Sequence, residues 1–401
     1  MIVLAAPVLG FLGGVERHVH DLSVGLRSRG HRVALAYGEA RGQDVELYRE
    51  AFDQVVALSG IGQLAAAADC IYAHKLHDDA VLSLACSRKR VVVAVHDHDM
   101  TCVRSHRYLP VTHEPCNRPP GIGCVAHGCI AVRTRDQLIP FSIRNPFRLA
   151  RTTRAVSDKA LLIAGSSFLR RTLLDAGVPP DRVVVIHPVP PDDATPLVAA
   201  PTAPVAVFAG QLIRGKGLDI LLRAVQKLDP VRVIVAGAGS GRGDSERLCV
   251  RLGIQSRVEF LGPVGPEAMA SVYDRGRVAV VPSLWPEPFG MVGIEAMRRA
   301  RPVVGARHGG IPEWLTHGVT GWTFDPGSDA SLAQALRRAM DADDYARVAQ
   351  EARRQASERF SFARMLDEVE RCILGAESGP RAERAGASGR GIDGRELMRP
   401  E

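Results

Sequence analysis

The segment from Val278 to Glu313 constrains the fold more than any other part of the chain. It alternates the patterns of strand, loop, helix, strand and glycine turn. Two short apolar runs, Val278–Val281 and Pro302–Val304, are typical of strands buried in a parallel sheet. This order predicts a βαβ unit, and ligands bind outside the carboxyl ends of the strands in such units.

Two carboxylates stand on either side of the glycine turn in this unit. Glu287 precedes the turn, and Glu295 follows eight residues later inside the helical pattern. If the helix begins near Gly290, its free N–H groups and positive dipole end lie between the two carboxylates, where a phosphate group is favoured. A nucleotide sugar has this layout of sugar hydroxyls, diphosphate and ribose hydroxyls. An amphipathic surface helix with a solvated Glu is the alternative on these residues alone.

Other glycine turns follow apolar strands elsewhere in the chain. Residues 208–216, FAGQLIRGK, open a helical pattern and place Lys216 at its start, where a solvated lysine is the alternative. Residues 233–241, VIVAGAGSG, form a weak dinucleotide fingerprint without an acidic partner. At the amino end, Met1–Ala6 reads as a strand before Gly13, Gly14 and a helix, because a signal peptide would need a basic start and a cleavage site.

Together these segments resemble the family 4 retaining glycosyltransferases of the GT-B fold, up to the tail. The resemblance implies an α/β protein with two doubly wound parallel-sheet, Rossmann-like domains facing a cleft. It gives Glu287 the donor-sugar hydroxyls, Glu295 the ribose and Lys216 the diphosphate. It also places His96, after the strand 90–95, against the donor sugar, with His98 or a purely structural histidine as alternatives. The catalytic residues would be His96, Lys216 and Glu287.

The resemblance implies a larger set of donor-binding positions, which surround the nucleotide sugar. Gln211 stands where the family usually has an Arg, so one phosphate-binding charge is missing there, with Arg214 as the alternative source of that charge. No Asp-x-Asp metal clamp lies near the donor motifs, and no cofactor for catalysis is expected. The set comprises Gly13, Gly14, Gly210, Gln211, Lys216, Gly237, Val264, Glu287, Phe289, Gly290, Met291 and Glu295.

A cysteine-rich loop, residues 96–129, is the least familiar feature. Cys102, Cys116, Cys124 and Cys129 fall within it, together with His106, His113 and His127. Four thiolates suit structural zinc or an iron–sulfur cluster, although the loop contains no CxxC pair. Disulfides and unpaired thiols remain alternatives. Some family members carry a similar insertion, and a metal here is expected to order the loop without taking part in chemistry.

Charge is concentrated in the first half of the chain. Between Arg88 and Arg171, Lys and Arg outnumber Asp and Glu by ten, whereas the whole chain has a net charge of +7. This excess favours an anionic acceptor or peripheral contact with an anionic membrane, with a solvated arginine-rich loop as the alternative. Nucleic acid is not expected, because the Arg residues are not interleaved with aromatic side chains. The arginines in question include Arg144, Arg148, Arg151 and Arg154.

At 401 residues the chain suits two domains. The prediction is a first domain over 1–187, a proline-rich linker over 188–204, a second domain over 205–359, a helix over 360–374 crossing back, and a disordered tail over 375–401. No apolar run reaches the roughly 18 residues of a spanning helix, so a cytoplasmic protein is expected. Rival functions are a glycoside hydrolase, a sugar-nucleotide epimerase and a catalytically silent, metal-bearing binding protein of a polysaccharide assembly.

Overall fold

The structure is a computed structural model that describes residues 1–76, 79–85, 90–112, 114–133, 141–192, 194–341 and 343–375. The predicted disordered tail therefore lies outside the described residues, apart from Gly375. His113 of the cysteine-rich loop lies outside them as well.

The first half of the chain folds around a parallel sheet of seven strands. The strands of this sheet are β1 (Ile2–Leu9), β2 (Val33–Ala40), β3 (Gln54–Ala57), β4 (Cys70–His74), β5 (Arg90–Val95), β8 (Leu161–Ala164) and β9 (Val183–Val185), and a separate antiparallel hairpin consists of β6 (Ala131–Arg133) and β7 (Phe141–Ile143). The helices of this half are α1 (Gly14–Ser28), α2 (Val45–Glu50), α3 (Ile61–Ala67), α4 (Asp79–Ala85), α5 (Ile122–Ala126), α6 (Pro146–Ser157) and α7 (Ser167–Asp175). The sheet order is β3-β2-β1-β4-β5-β8-β9, and β6 and β7 pair separately.

The second half folds around a parallel sheet of six strands. Its strands are β10 (Val205–Ala209), β11 (Arg232–Ala236), β12 (Val258–Gly262), β13 (Val278–Val281), β14 (Val303–Ala306) and β15 (Gly321–Phe324), in the order β12-β11-β10-β13-β14-β15. Its helices are α8 (Leu218–Gln226), α9 (Arg242–Leu252), α10 (Pro266–Asp274), α11 (Met291–Arg298), α12 (Asp329–Asp341), α13 (Tyr345–Arg359) and α14 (Phe362–Leu374).

Strand order reverses at one point in each sheet, and these points locate the cleft. β1 pairs with both β2 and β4, and β10 pairs with both β11 and β13, all in parallel. The central strands are apolar and buried, as β4 and β13 illustrate, because helices cover both faces of each sheet. The predicted α/β class with two doubly wound sheets is confirmed. Crevices at such reversal points bind ligands.

The segment that joins the two domains is held by arginines at the end of α11. Between β9 and β10 the described residues form no helix or strand. Arg298 donates to the carbonyl oxygens of Pro190 and Pro191, at 2.7 and 2.9 Å. Arg299 donates to those of Thr195 and Pro196, both at 2.7 Å. The buried guanidinium groups thus replace the backbone partners that an irregular segment lacks.

Helix α14 packs against the first domain. Leu366 contacts Gly25 of α1 so closely that a Cβ added to Gly25 would lie 2.6 Å from its Cδ1 atom. Arg90, at the start of β5, donates to the carbonyl oxygen of Cys372 at 2.7 Å. The chain therefore returns to the first domain after the second is complete. No helix in the described part of the chain has the length and apolar content to span a bilayer.

Candidate active site

Glu287 lies buried in the loop after β13 and is surrounded by donors. Lys216 Nζ contacts its two carboxylate oxygens at 2.8 and 3.0 Å, Ser283 Oγ donates at 2.6 Å and Trp285 Nε1 at 3.0 Å. Burial alone would raise the pKa of Glu287, but the Lys216 charge and these hydrogen bonds hold the pKa below its usual value. Glu287 is therefore an ionised acceptor, held in one orientation.

The turn after Glu287 depends on glycine for its shape. Gly290 has φ 93° and caps the N-terminus of α11, close to the predicted helix start. Gly310 donates its N–H to the Glu287 carbonyl oxygen at 2.7 Å. A Cβ added to Gly309 would lie 2.4 Å from that oxygen. The diglycine turn after β14 thus supports the backbone of Glu287.

Glu295 lies in the second turn of α11 and is partly buried. Its Oε2 atom accepts a hydrogen bond of 2.8 Å from the hydroxyl of Tyr273, at the end of α10. Burial raises the pKa of Glu295, whereas the Tyr273 bond and the charges of Arg17 and Arg298 oppose that rise. Arg17 belongs to α1, so a first-domain charge reaches this carboxylate across the cleft.

The glycines that were predicted to contact the donor converge at the strand ends. A Cβ added to Gly237 would lie 1.9 Å from the carbonyl oxygen of Gly210, so the turns after β10 and β11 touch through bare backbone. Gly13 faces Gln211 across the cleft: a Cβ added to Gly13 would be 3.2 Å from the Gln211 amide nitrogen. Gly14 similarly faces Met291. The first domain thus approaches the second at Gly13 and Gly14, where the side chains of Gln211 and Met291 face bare backbone.

Histidines line the first-domain side of the cleft. His96 is partly buried, and its Nε2 atom lies 2.9 Å from Nδ1 of His74. Burial and the neighbouring His18 lower the pKa of His96 to about 3, so the ring is neutral near pH 7. His98 is fully buried and donates from Nε2 to the Pro286 carbonyl oxygen at 2.8 Å. Residues 282–290, between β13 and α11, are called the donor loop, and His98 contacts the backbone of this loop directly at Pro286.

Two predicted donor-binding residues have limited access to the cleft. The Phe289 side chain is buried and stacks on His187 with ring centroids 4.8 Å apart, while its carbonyl oxygen accepts from Trp314 at 2.7 Å. Only the backbone N–H of Phe289 remains for a ligand. Val264 lies just after β12 and packs partly against the second-domain core. Its side chain therefore also has a structural role.

Several residues of the site escaped sequence analysis. Ser283 and Trp285 donate hydrogen bonds to Glu287. Both lie within four residues of Glu287 in the sequence, and this proximity could have indicated that they belong to the site. His308 donates to the Ser283 carbonyl oxygen at 2.8 Å, from the strand-end turn after β14. Tyr273 gave no signal, because it occupies an ordinary buried position of an amphipathic helix.

The cysteine-rich loop brings its four thiols near one another. Burial, followed by the thiols of Cys124, Cys102 and Cys116, raises the pKa of Cys129 to about 11. None of the seven described cysteines forms a disulfide. Within the described residues, no group of three or more His, Cys, Asp or Glu side chains is arranged to hold a metal ion. The thiols are therefore neighbours but do not form a ready-made tetrahedral site.

Comparison with known proteins shows what the chain is similar to. The model of the glycosyltransferase family 4 matches residues 12–189, and that of the glycosyl transferases group 1 matches residues 192–356. D-inositol 3-phosphate glycosyltransferase of Mycobacterium sp. (strain JLS) is 35% identical over 216 residues, which cover 50% of this chain and 49% of that protein. The enzyme of that name from Mycolicibacterium smegmatis is 31% identical over 258 residues, covering 60% and 59%. The chain thus matches about half the length of these relatives.

Solved structures share the fold over nearly the whole chain. HepE of Anabaena, in complex with UDP and glucose, is 23% identical, with a TM-score of 0.72 over 94% of this chain and all of that one. WaaG, a glycosyltransferase involved in lipopolysaccharide biosynthesis, is 15% identical, with a TM-score of 0.66 and the same coverage. The two family models cover the two domains in turn, and the chain belongs to the family 4 glycosyltransferases of the GT-B fold.

Proposed function

We propose that the chain is a retaining glycosyltransferase that transfers a hexosyl group from a nucleoside-diphosphate sugar to an acceptor. One observation carries the proposal. Glu287 is buried, ionised and multiply hydrogen-bonded before the N-terminus of α11, while Glu295 stands on the same helix. The free N–H groups of the helix start lie between them, which suits a diphosphate between sugar and ribose.

The same groups account for leaving-group stabilisation. Negative charge grows on the departing diphosphate in an oxocarbenium-like transition state. Lys216 Nζ, 2.8 Å from Glu287, would share its charge with a diphosphate bound beside that carboxylate. Glu287 would hold sugar hydroxyls, and His96, a neutral ring on the opposite domain, would contact the sugar. The departing phosphate would accept the acceptor proton, and no cofactor takes part.

The experiment separates transfer from its alternatives. The protein is incubated with UDP-glucose and related nucleotide sugars, with and without acceptors that include D-inositol 3-phosphate, on which the named relatives act. Release of free nucleoside diphosphate that requires an acceptor is expected. Release without acceptor would indicate hydrolysis, and conversion of the donor alone would indicate an epimerase. Binding without turnover would favour a silent binding protein, which the neutral Gln211 makes a real alternative.

A more specific proposal concerns the surface of the first domain that contacts the acceptor or a membrane. The excess of basic residues in this domain supports it. Arg148 and Arg151 are exposed on α6, and Phe147 beside them is 57% exposed. We propose that this helix faces an anionic acceptor or an anionic bilayer. Binding to phosphatidylserine vesicles should weaken with salt and with Arg148→Glu, but not with Arg251→Glu on the second domain. Absence of binding at any salt concentration would exclude the membrane.

The cysteine-rich loop carries a second finer proposal. We propose that Cys102, Cys116, Cys124 and Cys129 hold structural zinc or an iron–sulfur cluster once their side chains rearrange, because the four thiols lie close enough to influence one another electrostatically. Metal analysis of anaerobically purified protein should find zinc or iron, lost in Cys124→Ser and retained in Cys249→Ser, a buried cysteine of α9. Protein that contains neither metal would contradict this proposal.

A further inference from the structure

Tyr273 lies outside every donor motif, yet its hydroxyl reaches one of the two site carboxylates. The side chain is 2% exposed and ends 2.8 Å from Oε2 of Glu295. Burial and the nearby carboxylate raise the pKa of Tyr273 well above its usual value, so the hydroxyl keeps its proton and donates it. Glu295 must accept this hydrogen bond.

The position of Tyr273 is fixed by its neighbour in α10. Asp274, the last residue of that helix, pairs with Arg299 at 2.5 Å, just beyond the end of α11. Asp274 also contacts Arg301 at 3.3 Å. Two consecutive residues of α10 therefore bind two residues that are four positions apart: Tyr273 bonds Glu295 in α11, and Asp274 pairs with Arg299 at its C-terminal cap. This attachment fixes the position of the Tyr273 hydroxyl along the axis of α11 relative to Glu295.

A carboxylate offers about four lone-pair positions, of which Tyr273 occupies one. No other hydrogen bond from the described residues reaches this carboxylate, so its remaining positions can accept from two adjacent hydroxyl groups of one ligand. We propose that Tyr273 is a positioning residue that keeps Glu295 ionised and oriented to accept both ribose hydroxyls of the nucleotide donor. This inference rests on the proposed function, because it takes Glu295 to be the ribose-binding carboxylate.

Removing the hydroxyl has two consequences that follow from the charges around Glu295. The carboxylate loses the donor that fixes its rotation. Its pKa, which burial already raises, also rises further, because the lost bond favoured the ionised form. A protonated or misdirected Glu295 accepts ribose hydroxyls poorly. The defect should therefore depend on the ribose hydroxyls and on pH, whereas a packing defect would not.

The test compares the wild type with Tyr273→Phe, and uses Tyr345→Phe as a matched control. Tyr345 is a second-domain tyrosine whose hydroxyl donates to the Arg277 carbonyl oxygen at 2.6 Å, away from Glu295. Calorimetry measures the affinity of each protein for UDP and for 2′,3′-dideoxy-UDP. If the wild type binds GDP or ADP instead, that diphosphate and its dideoxy analogue are used.

The wild type and Tyr345→Phe should prefer the ribose form, and Tyr273→Phe should lose about tenfold of that preference, the value of one hydrogen bond to a charged group. As the pH is lowered, the affinity of Tyr273→Phe for UDP should begin to fall at a higher pH than that of the wild type. Unchanged ribose preference in Tyr273→Phe would overturn the inference and leave the proposed function intact. A wild type that binds no nucleoside diphosphate would overturn both.

Discussion

At the scale of single residues, the site is organised around one buried negative charge. An isolated buried carboxylate would be protonated, but Glu287 has a lysine, a hydroxyl and an indole N–H within 3.0 Å. The Lys216 charge contributes most to keeping Glu287 ionised, and the hydrogen bonds from Ser283 and Trp285 add to it. The ring of Trp285 also lies under Lys216, with Nζ 4.9 Å from its centroid, and this limits where the ammonium group can move.

Replacing Glu287 by Gln should reduce turnover by about 10²-fold or more, the typical effect of losing one preorganised polar contact to the reacting group. The amide keeps the shape but removes the charge that faces Lys216. Steady-state kinetics with UDP-glucose would measure the loss. Gln355→Glu, an isosteric change on α13 at a partly buried residue that bonds Glu351 and Arg359 and not the site, should leave turnover unchanged. Full turnover in Glu287→Gln would contradict the role given to Glu287.

The same substitution tests the pH dependence of stability. Because the folded-state pKa of Glu287 lies below its ordinary value of 4.5, its charge contributes stability that is fully present above that pH. The contribution is lost as the pH falls from the ordinary value through the lowered one. The difference in melting temperature between the wild type and Glu287→Gln should therefore be constant near pH 7 and shrink below about pH 4.5. A difference that grows on acidification would contradict this sign.

His98 contributes from the opposite domain. Burial lowers its pKa to about 4, so the ring is neutral near pH 7, and Nε2 carries the proton donated to Pro286. His98→Ala should raise KM for the donor about tenfold, because the donor loop loses a hydrogen bond and becomes less well positioned. A tenfold change corresponds to about 1.4 kcal/mol, the usual free-energy cost of losing one buried hydrogen bond. His98→Gln, whose amide can donate, should recover part of the loss. Equal kinetics for the wild type and both variants would show that the contact does not position the loop.

At the scale of elements, glycine turns decide which backbones can approach. Gly309 and Gly318 both have positive φ values, 64° and 73°. They differ in their surroundings: a Cβ on Gly309 would meet the backbone of Glu287 at 2.4 Å, whereas a Cβ on Gly318 would have open space around it. A side chain at Gly318 would therefore report only the backbone strain of a positive φ value. A side chain at Gly309 would report that strain together with the clash against Glu287.

Gly318→Ala should cost about 1 kcal/mol, which is the penalty for a side chain in the left-handed region. Gly309→Ala should cost about 1–3 kcal/mol more, because the donor loop must move away. It should also weaken binding of UDP, measured by calorimetry, while Gly318→Ala should not. Similar unfolding free energies for the two variants, measured in urea, would contradict the close approach seen at Gly309.

At the scale of the whole molecule, the two domains are joined by specific contacts besides the linker. Glu313, in the turn after β14, accepts from the backbone N–H groups of Ser167 and Phe168, both at 3.0 Å. These groups begin α7 of the first domain, so a second-domain carboxylate occupies the positive end of a first-domain helix. Together with the contact from His98 to Pro286, this bond ties the two domains to each other.

Replacing Glu313 by Ala should open the cleft in the absence of donor. Small-angle scattering should show a larger radius of gyration for this variant than for the wild type, and excess UDP should reduce the difference. Glu267→Ala on α10 is a matched control, because its carboxylate is exposed and in the same domain. An unchanged radius in Glu313→Ala would mean that other contacts suffice to hold the domains together.

Much of this architecture could be predicted from local patterns. Glu287, Gly290 and Glu295 are close in the chain, and one strand, turn and helix fix their relation, so their arrangement follows from the pattern itself. The same holds for the strand-end glycines near 210 and 237, because parallel strands place their carboxyl ends at one edge. The roles of these residues toward a donor remain predictions. The arrangement of the cysteine-rich loop could not be predicted, since no spacing rule fixes how an irregular loop folds back on itself.

The sequence by itself determined the α/β class, the two sheets and the approximate start of α11, because apolar periodicity and glycine positions act over a few residues. Only the tertiary structure decided that Tyr273 bonds Glu295, that His98 bonds Pro286 and that Arg299 holds the linker. Tyr273 and Glu295 are 22 residues apart, His98 and Pro286 are 188 apart, and Arg299 and Thr195 are 104 apart. Nothing in the local sequence around one partner indicates which residue the other partner will be. Hydrogen bonds over such separations form only after helices and sheets have packed, because packing brings the donor and the acceptor within reach of each other.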